Sequence, residues 1–177
     1  RPRPSGLFAI QLVEGNQLIG VELTDGNQDI MLFSDAGKVI RFNEAGVREM
    51  GRTARGVRGI RMGEGQQVIS LIIVEAGTTI LTATENGFGK RTPISEYTRH
   101  GRGTKGMIAI QTTERNGKVV AAVLVSEQDQ IMLITTGGIL VRTRVSEIRE
   151  MGRATQGVTL INVDEGTQLS GLQRVAE

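Results

Sequence analysis

The octet MGRTARGV at residues 50–57 returns almost unchanged as MGRATQGV at residues 151–158, and a looser version, HGRGTKGM, occupies residues 100–107. The second glycine of each falls at Gly56, Gly106 and Gly157, so the copies stand 50 and then 51 residues apart. A period of that length marks a repeat architecture, in which one supersecondary unit recurs and buries its apolar face only against its neighbours.

The match extends well beyond the octets. Upstream of each lies a predicted hairpin: DIMLFSDAGKVIRF, TILTATENGFGKRT and QIMLITTGGILVRT. Their turn glycines, Gly37, Gly87 and Gly138, keep the same spacing, and Ser34, Thr84 and Thr135 stand three residues before them. Asn86-Gly87 is a strong tight-turn signal between extended runs. Downstream comes a second predicted hairpin, IRMGEGQQVISLII, IQTTERNGKVVAAVLV and INVDEGTQLSGLQRV, and a fourth copy, IQLVEGNQLIGVEL, opens the chain. The array therefore reads as a partial blade over residues 1–28, the second hairpin of a preceding unit, followed by blades at 29–78, 79–128 and 129–177. RPRPSG at the start takes the place of an octet in divergent form, without an initiator Met, and is the expected mark of an excised or processed fragment.

The apolar residues lie in short runs such as Val68–Ile73 and Val119–Val125, and no segment carries a 3.6-residue period over three turns. The stretch Glu44–Met50 has room for a helical turn and no more. With aromatics at 3% and no Trp, the core must come from Val, Ile, Leu and Met, whose β-branched share favours strands. These features predict an all-β chain with about four short antiparallel strands per unit, the pattern of propeller blades. Helical solenoids lack the required period, and leucine-rich repeats differ in length and consensus. Three units and a half do not close a ring of four to eight blades. The array is an open arc, or further blades precede Arg1, or a second copy completes the ring.

Without Cys there is neither a disulfide nor a thiolate metal site, which fits a reducing cytosol. No apolar run approaches the roughly 18 residues of a membrane helix, and no signal peptide is visible. No nucleophile–base pair or metal cluster stands out. GRGTKG and GFGKRT resemble Gly-rich phosphate loops but lack the Walker spacing. His100 takes the place of Met50 and Met151, which predicts a half-apolar niche for it; Tyr97 matches Val47 and Ile148 and reads as packing.

The net charge is only +2, so a basic surface requires segregation. Arg52, Arg102 and Arg153 follow the first glycine of each octet; Arg55 and Lys105 precede the second, where the third copy has Gln156. Arg48, Arg58 and Arg61 surround the first octet, while Glu14, Glu64, Glu114 and Glu165 recur in the second-hairpin turns. The basic rim has two readings. One is a nucleic-acid track, in which glycines let backbone N–H groups approach phosphates beside Arg and Lys. The other is a set of blade corners with solvated arginines. Arg41, Arg91 and Arg142 form a matched column inside the first hairpins, suited either to bonding carbonyls between blades or to DNA.

DIMLFSDAGKVIRF, GVRGIRMGEGQQVISLI, ILTATENGFGKRT and GRATQGV, in this order and over essentially the whole chain, closely resemble the C-terminal domain of the DNA gyrase A subunit. The resemblance implies a β-pinwheel, a propeller relative whose neighbouring blades exchange strands, of which this chain would be about three of six blades in an open arc. It implies sequence-nonspecific binding, bending and wrapping of duplex DNA along a basic perimeter, in support of ATP-dependent negative supercoiling. The expected DNA contacts are Arg48, Arg52, Arg55, Arg58, Arg91, Arg99, Arg102, Lys105, Arg142 and Arg153. The expected partners are duplex DNA, the rest of the gyrase A subunit, plus the gyrase B subunit, in the bacterial cytoplasm at the nucleoid, with no membrane and no small-molecule substrate. No catalytic residue, metal site or cofactor is expected in this chain; ATP and magnesium belong to other parts of the holoenzyme. The family's heptad Q-[RK]-R-G-G-[RK]-G is absent, and the octets look like degenerate counterparts of it. Weak binding with local bending is therefore expected, without a full chiral wrap. The rival readings are a C-terminal domain of the topoisomerase IV type, a protein-interaction β-propeller and a propeller hydrolase.

Overall fold

The computed structural model describes residues 2–76 and 78–175. Each predicted first hairpin is present: β1 (Asp29–Ser34) with β2 (Lys38–Asn43), β4 (Thr79–Thr84) with β5 (Phe88–Pro93), and β8 (Gln130–Thr135) with β9 (Leu140–Arg144). The turn chemistry explains them. The N–H of Gly37, Gly87 and Gly138 bonds the carbonyl of Ser34, Thr84 and Thr135 at 3.0–3.1 Å. Gly37 and Gly87 also have positive φ, and a Cβ on either would strike a carbonyl of the following unit, that of Ile110 or Ile161. Glycine is required there both by the turn and by the neighbour's approach. The expected helical turn shrinks to one 3-10 turn, Glu44–Gly46, with counterparts at Ile94–Glu96 and Val145–Glu147.

The second hairpins are not hairpins, which corrects the expectation from sequence. Only the later arm of each is a strand. The later arms, β3 (Val68–Ile73), β7 (Val119–Val125) and β11 (Leu169–Arg174), pair with the first strand of their own unit. The earlier arms, which begin at Ile60, Ile110 and Ile161, form no strand; just before the later two, the short strands β6 (Met107–Ile108) and β10 (Val158–Thr159) pair with the preceding unit. Met107 stands opposite Val39, and Val158 opposite Gly89. The sheet orders are β3-β1-β2-β6, β10-β5-β4-β7 and β11-β8-β9, so neighbouring units exchange a strand. The first two sheets have the expected four strands; the third has three, and beside it Ile139 and Leu140 are 50% and 62% exposed.

Residues 2–28 contain no strand, so the expected partial blade is not a hairpin here. Residues 18–23 correspond in sequence to β3 but form no strand. Leu18, Ile19, Val21 and Leu23 are exposed.

The core is interlaminar. Strand alternation sends Met31 and Phe33 of β1 to one face and Ile30 and Leu32 to the other. Met31, Phe33, Ile72, Ile80, Tyr97 and Ala122 pack together between the first and second sheets. Leu81, Val125, Ile131, Leu133, Val145 and Leu169 do so between the second and third. Burying each such aliphatic side chain stabilises the stack by about 1.5–3 kcal/mol. Tyr97 is 1% exposed and meets Phe33 edge-on at 6.2 Å, the packing role expected of it. Burial pushes its phenol up to about 12.

Candidate nucleic-acid interface

The second and third octets are bulges along the free edge of the preceding hairpin, that of β2 and of β5. At one end the N–H groups of His100 and Met151 bond the carbonyls of Arg41 and Arg91, both at 2.8 Å. At the other, β6 and β10 join the sheet. Between these anchors the chain must leave the strand and return, and the second glycine makes the return. Gly106 and Gly157 have φ of 75° and 80°, and a Cβ would collide with the Val39 or Gly89 carbonyl. Midway, the carbonyls of Ala54, Thr104 and Thr155 accept from the N–H of Gln11, Arg61 and Gln111 at 2.8–3.1 Å, a bond repeated in all three loops. In the second and third copies the octet answers one requirement, docking on the neighbour's edge, and the first copy shares with them the bond at its middle. In the two docked copies the polar residues lie on the stretch lifted away from the strand.

The structure divides the expected contact residues. Arg48, Arg52, Arg55, Arg58 and Lys105 are exposed, and their side chains have no hydrogen-bond or ion-pair partner among the described residues. Arg61, outside the expected set, is exposed in the same way. These side chains keep their full donor capacity for an anion.

Arg102 and Arg153 are partly committed. Arg102 Nε bonds the Gly46 carbonyl at 2.8 Å and its Nη1 the Arg58 carbonyl at 3.2 Å, while Arg153 Nη1 bonds the Ile108 carbonyl at 2.6 Å. Residues 58 and 108 are equivalent, so both of these arginines also tie their loops to the unit before. Arg99 is exposed but bonded to Asp29 at 2.9 Å, and exposed Arg142 bonds Gln130.

Arg91 has to be withdrawn as a contact. It is 7% exposed, and its Nε donates to the Ile148 carbonyl at 2.8 Å. Arg41 likewise reaches the carbonyls of Ile94 and Tyr97 at 3.2 and 3.1 Å. For these two the inter-blade reading of the column holds. Arginine's five-donor fork suits it to bridging several carbonyls at such a seam.

His100 is exposed, not in the half-apolar niche expected. Glu14, Glu64, Glu114 and Glu165 are all exposed, away from any ion pair among the described residues. No group of three or more His, Cys, Asp or Glu side chains able to hold a metal occurs among the described residues. Among the described residues no helix is long and apolar enough to cross a membrane.

Sequence reasoning missed Lys90. It is 0% exposed, and its Nζ donates into the third octet, to the carbonyls of Gly152 at 2.7 Å and Thr155 at 3.3 Å and to that of Arg153. Its one signal in the sequence was a lysine at the place of Ile40 and Val141.

Comparison with known proteins gives a consistent picture. A family described as the DNA gyrase C-terminal domain, β-propeller, matches residues 28–75, 78–126 and 129–176. The DNA gyrase A subunit of Pseudomonas aeruginosa is 59% identical over 177 residues, all of this chain and 19% of that protein. That of Escherichia coli K12 is 58% identical, again over the whole chain and 20% of the relative. The chain thus spans about a fifth of the proteins it matches. Among solved structures, a DNA gyrase A C-terminal domain superimposes with a TM-score of 0.87 at 26% identity, covering 97% of this chain and 59% of that one. A DNA topoisomerase IV C-terminal domain gives 0.92 at 25% identity, covering 99% and 55%.

Proposed function

The chain belongs to the family of DNA gyrase C-terminal β-propeller domains, and from that premise we propose that it binds duplex DNA along its Gly/Arg loops, without regard to base sequence, and bends it. The observation that carries this reading is the first loop. Arg48, Arg52, Arg55 and Arg58 are exposed and uncommitted there, on a backbone pinned at Ala54, and Lys105 repeats the arrangement one unit on. Pinned loops at a fixed spacing meet a polyanion whose charge is itself regularly spaced, and such contacts position the duplex without reading it. Within a whole gyrase, strand cleavage and ATP hydrolysis fall to the remaining domains of the gyrase A protein and to its gyrase B partner. The curvature this domain imposes on DNA then serves negative supercoiling.

The fold alone does not separate gyrase from topoisomerase IV. Identities of 58–59% to gyrase A proteins favour the former. Titrating a labelled duplex at several salt concentrations tests the function. Log affinity should fall with log salt at a slope near −0.9 per phosphate contact, or about −3.6 for four contacts, and equally for unrelated base sequences. A flat salt response would favour a protein-interaction propeller instead.

A further inference from the structure

The third loop departs from the other two in its charge. Before its second glycine stands Gln156, where the first two loops carry Arg55 and Lys105. The hairpin beneath it departs as well, with Lys90 in the place of Ile40. The two departures meet at one spot. The fully buried Lys90 Nζ donates to the Gly152 carbonyl at 2.7 Å, to the Arg153 carbonyl, and to the carbonyl and Oγ1 of Thr155 at 3.3 and 3.1 Å.

Glu96 grips the same segment from the other side, its Oε2 accepting from the Arg153 N–H at 2.7 Å. The Gly152 carbonyl and the Arg153 N–H belong to one peptide group, so a cation and an anion hold its two ends. In the first unit these places hold Ile40 and Gly46, and among the described residues no side chain grips the equivalent peptide.

We propose that Lys90 is the second cation of the third loop, set beneath it instead of on its surface. Its ammonium fixes the loop backbone and supplies the positive charge that a DNA phosphate meets there. This inference rests on the DNA-binding reading above. A surface lysine acts through water and salt, whereas a charge below the loop is screened far less. The peptide dipoles that Lys90 orients are fixed before DNA arrives.

Burial lowers the Lys90 ammonium to about 8; Glu96, on the turn after β5, raises it, and Arg153 in the loop lowers it further. Across the sheet, β4 presents the uncharged Thr82. A phosphate above the loop favours the protonated form. Binding should therefore take up a proton around and above pH 8, and affinity should decline as pH rises through that range.

The test is duplex affinity at 0.1 M salt from pH 7 to 9.5 for the wild type and K90M, with circular dichroism to verify folding and amide hydrogen exchange at Arg153. At pH 7, K90M should bind about eightfold more weakly, the counterion-release value of one phosphate contact between 1 M and 0.1 M salt. It should also lack the alkaline decline and lose protection at the Arg153 amide. A folded K90M with wild-type affinity and pH profile overturns the proposal. Should Met at position 90 prevent folding, K90R carries the test. Charged throughout, it should bind as the wild type does at pH 7 without the alkaline decline, and a decline as steep as the wild type's overturns the proposal. If neither wild type nor variant binds DNA, the DNA-binding reading itself fails. Arg153 protection that depends on Lys90 would then identify the failure as that of the reading and not of the clamp.

Discussion

Arg41 lies diagonally across the first hairpin from Asp29, its Nε 2.7 Å from the carboxylate, while its Nη1 reaches carbonyls of the next unit. Asp29 accepts from Arg99 of that unit at 2.9 Å and from Asn43 at 3.1 Å. One carboxylate thus joins a hairpin to the seam between sheets. Burial pushes its pKa up, but the donors from Arg99, Arg41 and Asn43 outweigh this, and the net shift is downward.

A carboxylate whose pKa is lower in the folded protein contributes stability above its unfolded pKa and loses it as pH falls through the folded value. D29N should therefore cost about 2 kcal/mol at pH 7, the scale of hydrogen bonds to a charged group. The gap from the wild type should close on acidification below the ordinary Asp range near 3.8. Urea midpoints at pH 7 and pH 3 measure this, and a gap that does not narrow at pH 3 would exclude Asp29 as its source.

The three octet glycines should tolerate alanine unequally. Gly56 has positive φ but nothing within 4 Å of a Cβ position, so G56A carries only the backbone term, about 1–2 kcal/mol. G106A and G157A add a collision with the neighbouring carbonyl and should lose about 1–3 kcal/mol more. Thermal denaturation of the three variants ranks them; equal losses would show that the octets are not docked as described.

For DNA, R52A/R55A should weaken binding to every duplex alike and flatten the salt slope by about 1.8. Fold stability should be untouched, since neither side chain has an intramolecular partner among the described residues. R91A should do the opposite. It leaves the Ile148 carbonyl unpaired in a buried seam and should cost about 1–3 kcal/mol of stability, with the salt slope unchanged. A slope change in a folded R91A would return Arg91 to the interface.

Lys90 makes a prediction of opposite sign for folding and for binding. Its folded pKa of about 8 lies below the ordinary lysine value of 10.5, so between these limits the unfolded chain holds more protons. Stability attributable to Lys90 should rise with pH across that window, by roughly 3 kcal/mol at most, while DNA affinity falls. Comparing wild type with K90M from pH 7.5 to 10.5 isolates the contribution; parallel curves would remove it.

The turns were legible in the sequence because they are local. Ser34 and Gly37, or Thr84 and Gly87, carry their whole geometry within four residues. The strand exchange was not legible from the pattern. Met107 and Val39 pair across 68 positions, and the short run around Met107 is as compatible with a local hairpin as with an edge strand. It entered only with the family resemblance. The site was half legible for the same reason. Arg52 and Arg91 are the same residue type in matched columns, and only packing decides that one faces water and the other a carbonyl in the seam. Lys90 escaped notice because a fully buried ammonium is exceptional, and its partners are backbone carbonyls that sequence does not distinguish.

The exchanged strand also sets an order in time. The first sheet, whose hairpin ends at Asn43, acquires its fourth strand only when Ile108 has been made, roughly 65 residues later. At about 5–20 residues per second on a ribosome, that leaves the β2 edge open for roughly 3–13 s, its N–H and C=O groups free to pair with another nascent chain. The first two sheets are therefore each finished by the unit that follows, and synthesis from the N-terminus closes their edges one after the other, like a zip that moves with the ribosome.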